Sequence, residues 1–237
     1  MRVAALYDIH GNLPALQAVL SEVENAGRVD EIIVGGDVLW GPMESECLDL
    51  LLEVGAVFVA GNCERDVLHP SSEIDRWCRA RLSERHRALI ETWPLWLERE
   101  IDGLGAVLFC HATPTDNEAI LTRITPDDDV AAAFAGTGAA IVICGHTHFR
   151  FDRDVPSGPR LVNVGSVGLP YEGAVGAFWA FVGPEIDFRQ TTYDVERAIV
   201  ELRATTFPRF DEIVAPSLQG RVTAVEATTE FESRRGA

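Results

Sequence analysis

Residues 2–12, Arg2-Val3-Ala4-Ala5-Leu6-Tyr7-Asp8-Ile9-His10-Gly11-Asn12, pass from an apolar, β-forming run straight into a cluster of polar groups. Asn12 is placed to cap a helix, and Leu13, Leu16, Val19, Leu20 and Val23 follow at helical spacing until Gly27. The same unit then recurs. Glu31–Val34 is a second apolar run, closed by Gly35-Gly36-Asp37, and a helix is predicted from about Glu46 to Val54. Ala56–Ala60 is a third strand, ended by a turn at Gly61-Asn62. This β-α-β-α-β alternation predicts a parallel sheet wrapped by helices on both faces.

Further along, the pattern predicts one helical stretch over 73–97, a strand over 105–110, a helix near 127–135 and a strand over 139–144. After Phe149 the runs Phe151, Leu161-Val162, Phe178–Val182 and Ile186–Gln190 are separated by Gly and Pro turns. They read as hairpin-connected antiparallel strands of a second sheet. Asp194 is placed to cap a last helix near 195–205, and 218–237 is a Thr/Glu/Arg-rich tail without a clear period. A length of 237 residues suits one domain over 1–237, with 70–97 as a helical insertion or cap.

Charge and residue choice exclude several functions. Asp and Glu number 37 against 20 Lys and Arg, a net charge of −17 at pH 7. A surface that acidic repels a phosphate backbone, so general nucleic-acid binding is not expected. Every one of the basic residues is arginine, which removes Schiff-base and P-loop lysine chemistry. Gly165-Ser166-Val167-Gly168 lacks the glycine two residues before the serine that a nucleophile elbow requires. Cys47, Cys63, Cys78, Cys110 and Cys144 are scattered and odd in number, which points to a reducing compartment. The apolar N-terminal run stops at Asp8, too short for a signal sequence. No other run approaches the roughly 18 residues of a membrane span. A cytoplasmic protein without a membrane partner is the expectation.

The chemistry gathers at strand ends. Asp8-Ile9-His10, Gly36-Asp37, Gly61-Asn62, His111 and Gly145-His146-Thr147-His148 each follow a predicted strand directly. In open α/β sheets the carboxyl ends of strands form the ligand crevice. Taken singly, Asp-x-His, Gly-Asn and Gly-Asp are ordinary turn or cap sequences. Their joint placement decides, because four of the six histidines and two carboxylates fall at such ends. In extended chain, residues two apart point the same way, so Asp8 with His10 and His146 with His148 form two pincers.

This ordered set resembles the signature of the calcineurin-like metallophosphoesterases. Gly36-Asp37-Val38, Gly41-Pro42, Gly61-Asn62-Cys63-Glu64 and Asn163-Val164-Gly165-Ser166-Val167 further resemble its small bacterial YfcE-like phosphodiesterase branch. The likeness spans about residues 1–190 and leaves 70–97 and the C-terminal tail uncovered. It implies an α/β fold, a four-layer α/β/β/α sandwich of two mixed sheets flanked by helices, with a dinuclear metal site at the strand ends. It also implies that Asp8, His10 and His148 hold one ion, that Asn62, His111 and His146 hold the other, and that Asp37 bridges them. The donor set suits Mn²⁺, Fe, Zn²⁺ or Co²⁺, with Mn²⁺ taken first.

The activity implied is hydrolysis of a small phosphorylated substrate, a diester before a monoester, by in-line attack of hydroxide held between the ions. Asp37, Asn62 and His111 carry the catalytic roles, the Asn62 amide helping to take up equatorial charge. One departure stands out. Most of the superfamily places histidine after Gly-Asn, where this chain has Cys63, and a thiol of pKa about 8.5 is a poor acid. Two alternatives remain: a phosphomonoesterase acting on protein or nucleotide monoesters, and a non-catalytic scaffold of the same fold. Homo-oligomer formation stays open.

Other residues have competing roles at this level. Asn12 could reach a phosphate oxygen or simply cap its helix. Five arginines within 76–87 could greet an anionic substrate or pair with the interleaved Glu73, Asp75 and Glu84. Trp93-Pro94-Leu95-Trp96 reads as core rather than a stacking platform, and Cys63, Cys110 and Cys144 as buried small residues. His69 and His86 belong to no motif.

Overall fold

Alternation along strand β1 (Val3–Leu6) sets the layering. Val3, Ala5 and Tyr7 point to one side and Ala4 and Leu6 to the other, and every one of them is buried. A computed structural model describes residues 1–235. In it β1 pairs in parallel with β2 (Glu31–Val34), which pairs in parallel with β3 (Val57–Phe58). Helices α1 (Leu13–Asn25) and α2 (Glu44–Glu53) make the crossovers. Asn62 is not in a turn: it opens α3 (Asn62–Leu68).

The expected helix over 73–97 is broken. α4 (Glu73–Arg79) and α5 (Glu84–Ile90) are separate short helices, and the chain then extends as β4 (Trp96–Ile101). β4 pairs antiparallel with β5 (Gly105–Cys110), from Trp96 opposite Cys110 to Ile101 opposite Gly105. α6 (Asp127–Ala133) leads to β6 (Ile141–Cys144), parallel to β5.

The strands after Phe149 do not form a sheet of their own. β7 (Phe151–Arg153) and β8 (Arg160–Asn163) extend the β5–β6 sheet, with β8 parallel to β6. β9 (Ala177–Val182) and β10 (Ile186–Thr191) return to the first sheet, where β9 pairs antiparallel with β1. The reason lies in composition: Ala177–Val182 is apolar throughout and buried throughout, so it needs neighbours on both edges and both faces. The strand orders are β10-β9-β1-β2-β3 and β4-β5-β6-β8-β7, two mixed five-stranded sheets.

Helices cover only the outer face of each sheet, which is the four-layer α/β/β/α sandwich of two mixed sheets implied by the resemblance, rather than one sheet wrapped on both faces as the first strand-helix alternation suggested. Val3, Ala5, Tyr7, Ile33, Ala180 and Val182 of the first sheet meet Val107, Phe109, Ile143 and Val162 of the second, an apolar layer between sheets. Ala4, Leu6 and Trp179 face α1, α2, α7 (Val195–Arg203, capped by Asp194) and α8 (Phe210–Leu218). Leu108, Val142 and Leu161 face α6 and α9 (Ala224–Arg234). The supposedly patternless tail is therefore largely helix, with residues 236–237 outside the described residues. Its start is a capping box, in which Thr223 and Glu226 satisfy each other's N–H groups. Among the described residues no helix is long and apolar enough to cross a membrane.

Candidate metal centre

Every candidate ligand sits just past the carboxyl end of a strand that is parallel to a neighbour: β1 for Asp8 and His10, β2 for Asp37, β3 for Asn62, β5 for His111, β6 for His146 and His148. Backbone bonds zip these loops together. Asp8 N–H donates to Gly36 O (3.1 Å), His10 N–H to Asp37 O (2.9 Å) and Gly145 N–H to His111 O (2.9 Å). Close approach demands glycine at two places. A Cβ on Gly61 would stand 2.1 Å from Asp37 Oδ1. One on Gly36, whose φ is +98°, would meet Gly61 Cα and His111 Nδ1 at 2.7 Å.

The candidate ligands themselves carry strain. Among the described residues eight non-glycine positions have positive φ, and five are Asp8, His10, Asp37, His146 and His148. Left-handed backbone at such residues costs on the order of 1–3 kcal/mol each and concentrates where function requires it. A framework of buried hydrogen bonds opposes the strain. Ser166 Oγ donates to Asp8 O (2.7 Å), and Asn163 Nδ2 donates to Gly145 O (2.5 Å) and Thr147 Oγ1 (3.0 Å). Glu64 is buried and accepts from the N–H groups of Asp37 (2.9 Å), Val38 (2.9 Å), Leu39 (3.2 Å) and Gly61 (2.7 Å). One carboxylate thus fastens the Asp37 loop to the Asn62 loop.

The side chains form two groups that share Asp37. Asp8, His10, Asp37 and His148 offer donor atoms within 4.8 Å of one another, and Asp37, His111 and His146 do the same. His111 Nε2 lies 3.4 Å from Asp37 Oδ2 and 3.2 Å from Asn62 Oδ1, so Asn62 joins the second group. His148 Nε2 lies 3.4 Å from Asp8 Oδ1, and His10 Nε2 lies 3.8 Å from Asp37 Oδ2. All seven residues singled out in the sequence meet in one place.

Orientation suits cation binding. His111 Nδ1 donates to Gly35 O (2.9 Å) and His148 Nδ1 to Leu169 O (2.7 Å), which aims both Nε2 atoms at the carboxylates. Burial, with the nearby His148 ring, pushes His10 down to about 4; burial and His111 do the same to His146. Both rings therefore offer lone pairs at neutral pH. Burial opposes charge on Asp37 and Asp8, but the surrounding imidazoles hold both carboxyls below their usual range. Burial alone would also depress His111, yet the Asp37 and Asp8 carboxylates push it up to about 10. His10 Nδ1 is buried without a partner, and its Nε2 stands 3.2 Å from His148 Nε2. Carboxylate, imidazole and carboxamide donors with facing ring nitrogens fit divalent cations.

The secondary candidates separate cleanly. Asn12 caps α1 through Ala15 N–H (3.2 Å) and spends its amide on Gly168 O (3.0 Å) and Tyr193 Oη (3.2 Å). Cys63 is buried, its thiol donating to Asp37 Oδ2 at 3.1 Å. Cys110 and Cys144 are buried, as expected. Arg79 and Arg87 donate to the carbonyls of Val67 (3.4 Å) and Leu82 (2.6 Å). Arg81 lies over the Trp77 ring. Trp93 stacks on Phe58 (4.4 Å between centroids), but Trp96 is 46% exposed on β4 and is not core. His86 pairs with Asp49, away from the centre.

Three neighbours of the centre escaped the sequence reading, and a fourth was quoted there only within a motif, without a role. Tyr171 stacks on His148 (4.6 Å, 26°), Phe231 of α9 lies beside His146 (5.9 Å), and Trp40 stands edge-on to His10 (6.3 Å). The fourth is Glu64, whose position three residues after Gly61, at the third residue of a helix, is the one local signal available.

Comparison with known proteins agrees with this geometry. The family model described as the calcineurin-like phosphoesterase superfamily domain matches residues 1–181. The uncharacterized protein MJ0912 of Methanocaldococcus jannaschii is 28% identical over 242 residues, covering 88% of this chain and 94% of that protein. A metallophosphoesterase from Sphaerobacter thermophilus superposes with a TM-score of 0.73 at 27% identity, covering 93% of this chain and all of the other. The hypothetical protein PH1004 from Pyrococcus horikoshii OT3 shares the fold, with a TM-score of 0.74 at 19% identity over 92% of this chain and 97% of its own. Since the matched 1–181 contain both pincers and all seven candidate ligands, the chain belongs to the calcineurin-like phosphoesterase superfamily.

Proposed function

We propose that this chain is a metal-dependent phosphoesterase that hydrolyses small organic phosphate esters, diesters before monoesters. The observation that carries the reading is the sharing of Asp37 between two complete donor groups. Asp8, His10, Asp37 and His148 would hold one divalent ion and Asp37, Asn62, His111 and His146 the other, with Mn²⁺ first among the candidates. When bound, such ions supply Lewis-acid charge and a water that loses its proton near neutral pH.

The chain's own groups do the rest. Asn62 Nδ2 has only the weak acceptor Cys63 Sγ (3.6 Å), so its N–H groups are available to a phosphoryl oxygen. His111 is held through Nδ1 on Gly35 O, which keeps its Nε2 beside Asn62 Oδ1 (3.2 Å). The Cys63 thiol is engaged by Asp37, and burial and that carboxylate push it well up, so it supplies no proton to a leaving group. Absence of an acid at this position supports the preference for esters whose leaving groups depart without one. A single functional domain and a cytosolic setting accompany this proposal, the latter supported by five buried, unpaired cysteines.

A paired assay on metal-stripped protein tests it. Nitrophenol release from bis(p-nitrophenyl) phosphate and from p-nitrophenyl phosphate is followed with Mn²⁺ or EDTA. Metal-dependent release favouring the diester is expected. A monoester preference overturns the diester assignment, and silence on both with metal bound overturns the hydrolase in favour of a scaffold.

A further inference from the structure

The two C-terminal helices border an open cleft of about 500 Å³ beside the candidate metal centre. Tyr171, Ile213, Pro216, Val222, Phe231 and Arg234 line it. It adjoins the candidate ligands at two points, because Tyr171 stacks on His148 and Phe231 lies beside His146. Resting on the phosphoesterase reading, we infer that this cleft is the subsite for the ester's larger organic arm, and that it takes an uncharged, ring-bearing group of nucleoside size.

Size, shape and charge each narrow the occupant. The volume lies within the range of small-molecule sites, and the Tyr171 and Phe231 side chains offer aromatic surface to a flat ring. The lining also carries Glu212, Glu226 and Glu230 against one guanidinium, that of Arg234. A second phosphate there would meet a surplus of negative charge. For a cationic arm, two of the three carboxylates are already paired with arginines. Glu230 pairs with Arg234 (2.8 Å), Glu212 with Arg209 (2.8 Å), and Glu226 accepts from Thr223 Oγ1 (2.7 Å). Those carboxylates keep spare lone pairs, which suit the hydroxyl groups of a neutral sugar.

The walls are fixed before any ligand arrives. Ser217 Oγ of α8 donates to Pro170 O (2.7 Å), beside Tyr171, and Gly173 N–H donates to Val222 O (2.8 Å). Glu232 of α9 accepts from Thr122 Oγ1 (2.5 Å) and Thr125 Oγ1 (2.7 Å) on the loop before α6. A preformed cleft loses little ordering entropy on binding.

Calorimetric titration of the Mn²⁺-loaded full chain with thymidine 5′-monophosphate, methyl phosphate and 1,2-ethylene bisphosphate tests the inference without requiring turnover. The thymidine ester is expected to bind at least tenfold tighter than methyl phosphate, with the bisphosphate no tighter than methyl phosphate. Ile213→Trp and Ala227→Trp, which fill the cleft from opposite helices, should each bring the thymidine-to-methyl ratio close to one. Equal affinities in the wild type, the bisphosphate binding tightest, or a ratio untouched in both folded variants would overturn the subsite. Thymidine selectivity without turnover in the nitrophenyl assay would instead remove the hydrolase and keep the subsite.

Discussion

Cys63 holds both oxygens of the Asp37 carboxylate: its backbone N–H donates to Oδ1 (2.9 Å) and its thiol to Oδ2 (3.1 Å). The position that most of the superfamily gives to histidine thus serves here to orient the Asp37 carboxylate. A hydrogen bond of this kind contributes about 1 kcal/mol, which is roughly fivefold in an equilibrium constant. Cys63→Ala should lower Mn²⁺ affinity by about that factor, whereas Cys63→Ser, which keeps a donor, should stay within about twofold. Titration of metal into stripped protein reads the difference. Equal affinity in both variants would reduce Cys63 to packing.

Asp37→Asn removes the one carboxylate common to both donor groups. Neutral carboxamide in its place loses charge for two ions at once. The expected result is loss of at least one metal per chain by elemental analysis and a fall in turnover of at least a hundredfold. Substitution of Asp49, which pairs with His86 away from the centre, is the control and should change neither.

Glu64 is a structural clamp whose failure should appear first in stability. Glu64→Ala leaves four buried N–H groups without an acceptor, at roughly 1–3 kcal/mol each. Against a typical total of about 5–15 kcal/mol, that is enough to lower the melting temperature by more than 10 °C or prevent folding. Glu64→Gln keeps one oxygen and should fold, but with weakened metal binding. A Glu64→Ala protein that melts like the wild type would show that those N–H groups find other partners.

The cluster of candidate ligands was legible in the sequence because each of its residues follows its strand closely, so the strand pattern and the polar pattern index each other. Where one pattern was interrupted the reading slipped. In β4, Leu97, Arg99 and Ile101 share a face, but the arginine in mid-face hides the alternation; only the structure reveals that Arg99 reaches Glu31 of the first sheet at 2.8 Å. α9 presents little apolar surface and contains two adjacent threonines, and its one clear signal is the Thr223-to-Glu226 capping box. The aromatic neighbours Tyr171 and Phe231 stand far from the ligands in sequence, and no local spacing links them.

Glu44 gives the fold a pH dependence separate from the candidate metal ligands. Its Oε1 is buried without a partner, and Oε2 accepts from Gly41 N–H at 3.2 Å. Burial pushes its carboxyl up to about 7, against the Cys78 thiol and the Gly41 N–H. Because the folded pKa lies above the unfolded one, the folded state binds the extra proton between about 4.5 and 7. Stability from this group is therefore complete at low pH, falls as pH rises through that window, and levels off above it. The loss is about 3 kcal/mol in total. Glu44→Gln should flatten the slope and leave the protein more stable than wild type at pH 8, as read by urea denaturation at pH 5 and 8. A steeper slope in the variant would be inconsistent with a protonated, buried Glu44.

Glu232 fastens α9 over the centre, since one oxygen accepts from both Thr122 and Thr125 while the other pairs with Arg235 at 2.7 Å. The helix's other anchors among the described residues are the buried Ala227 and Thr228, the ring of Phe231 against His146 and Phe149, and the Arg235–Asp129 ion pair, while Val225 is 74% exposed. Local opening of α9 should thus cost less than global unfolding, and Glu232→Ala should lower that cost selectively. Losing two hydroxyl bonds to a carboxylate is worth about 2 kcal/mol, so amides of α9 should exchange with solvent roughly thirtyfold faster. Amides of β1, β5 and β6 should keep their wild-type protection in the same hydrogen-exchange experiment. Uniform acceleration across helix and strands would instead mean that α9 unfolds only with the whole protein, making it part of the cooperative core.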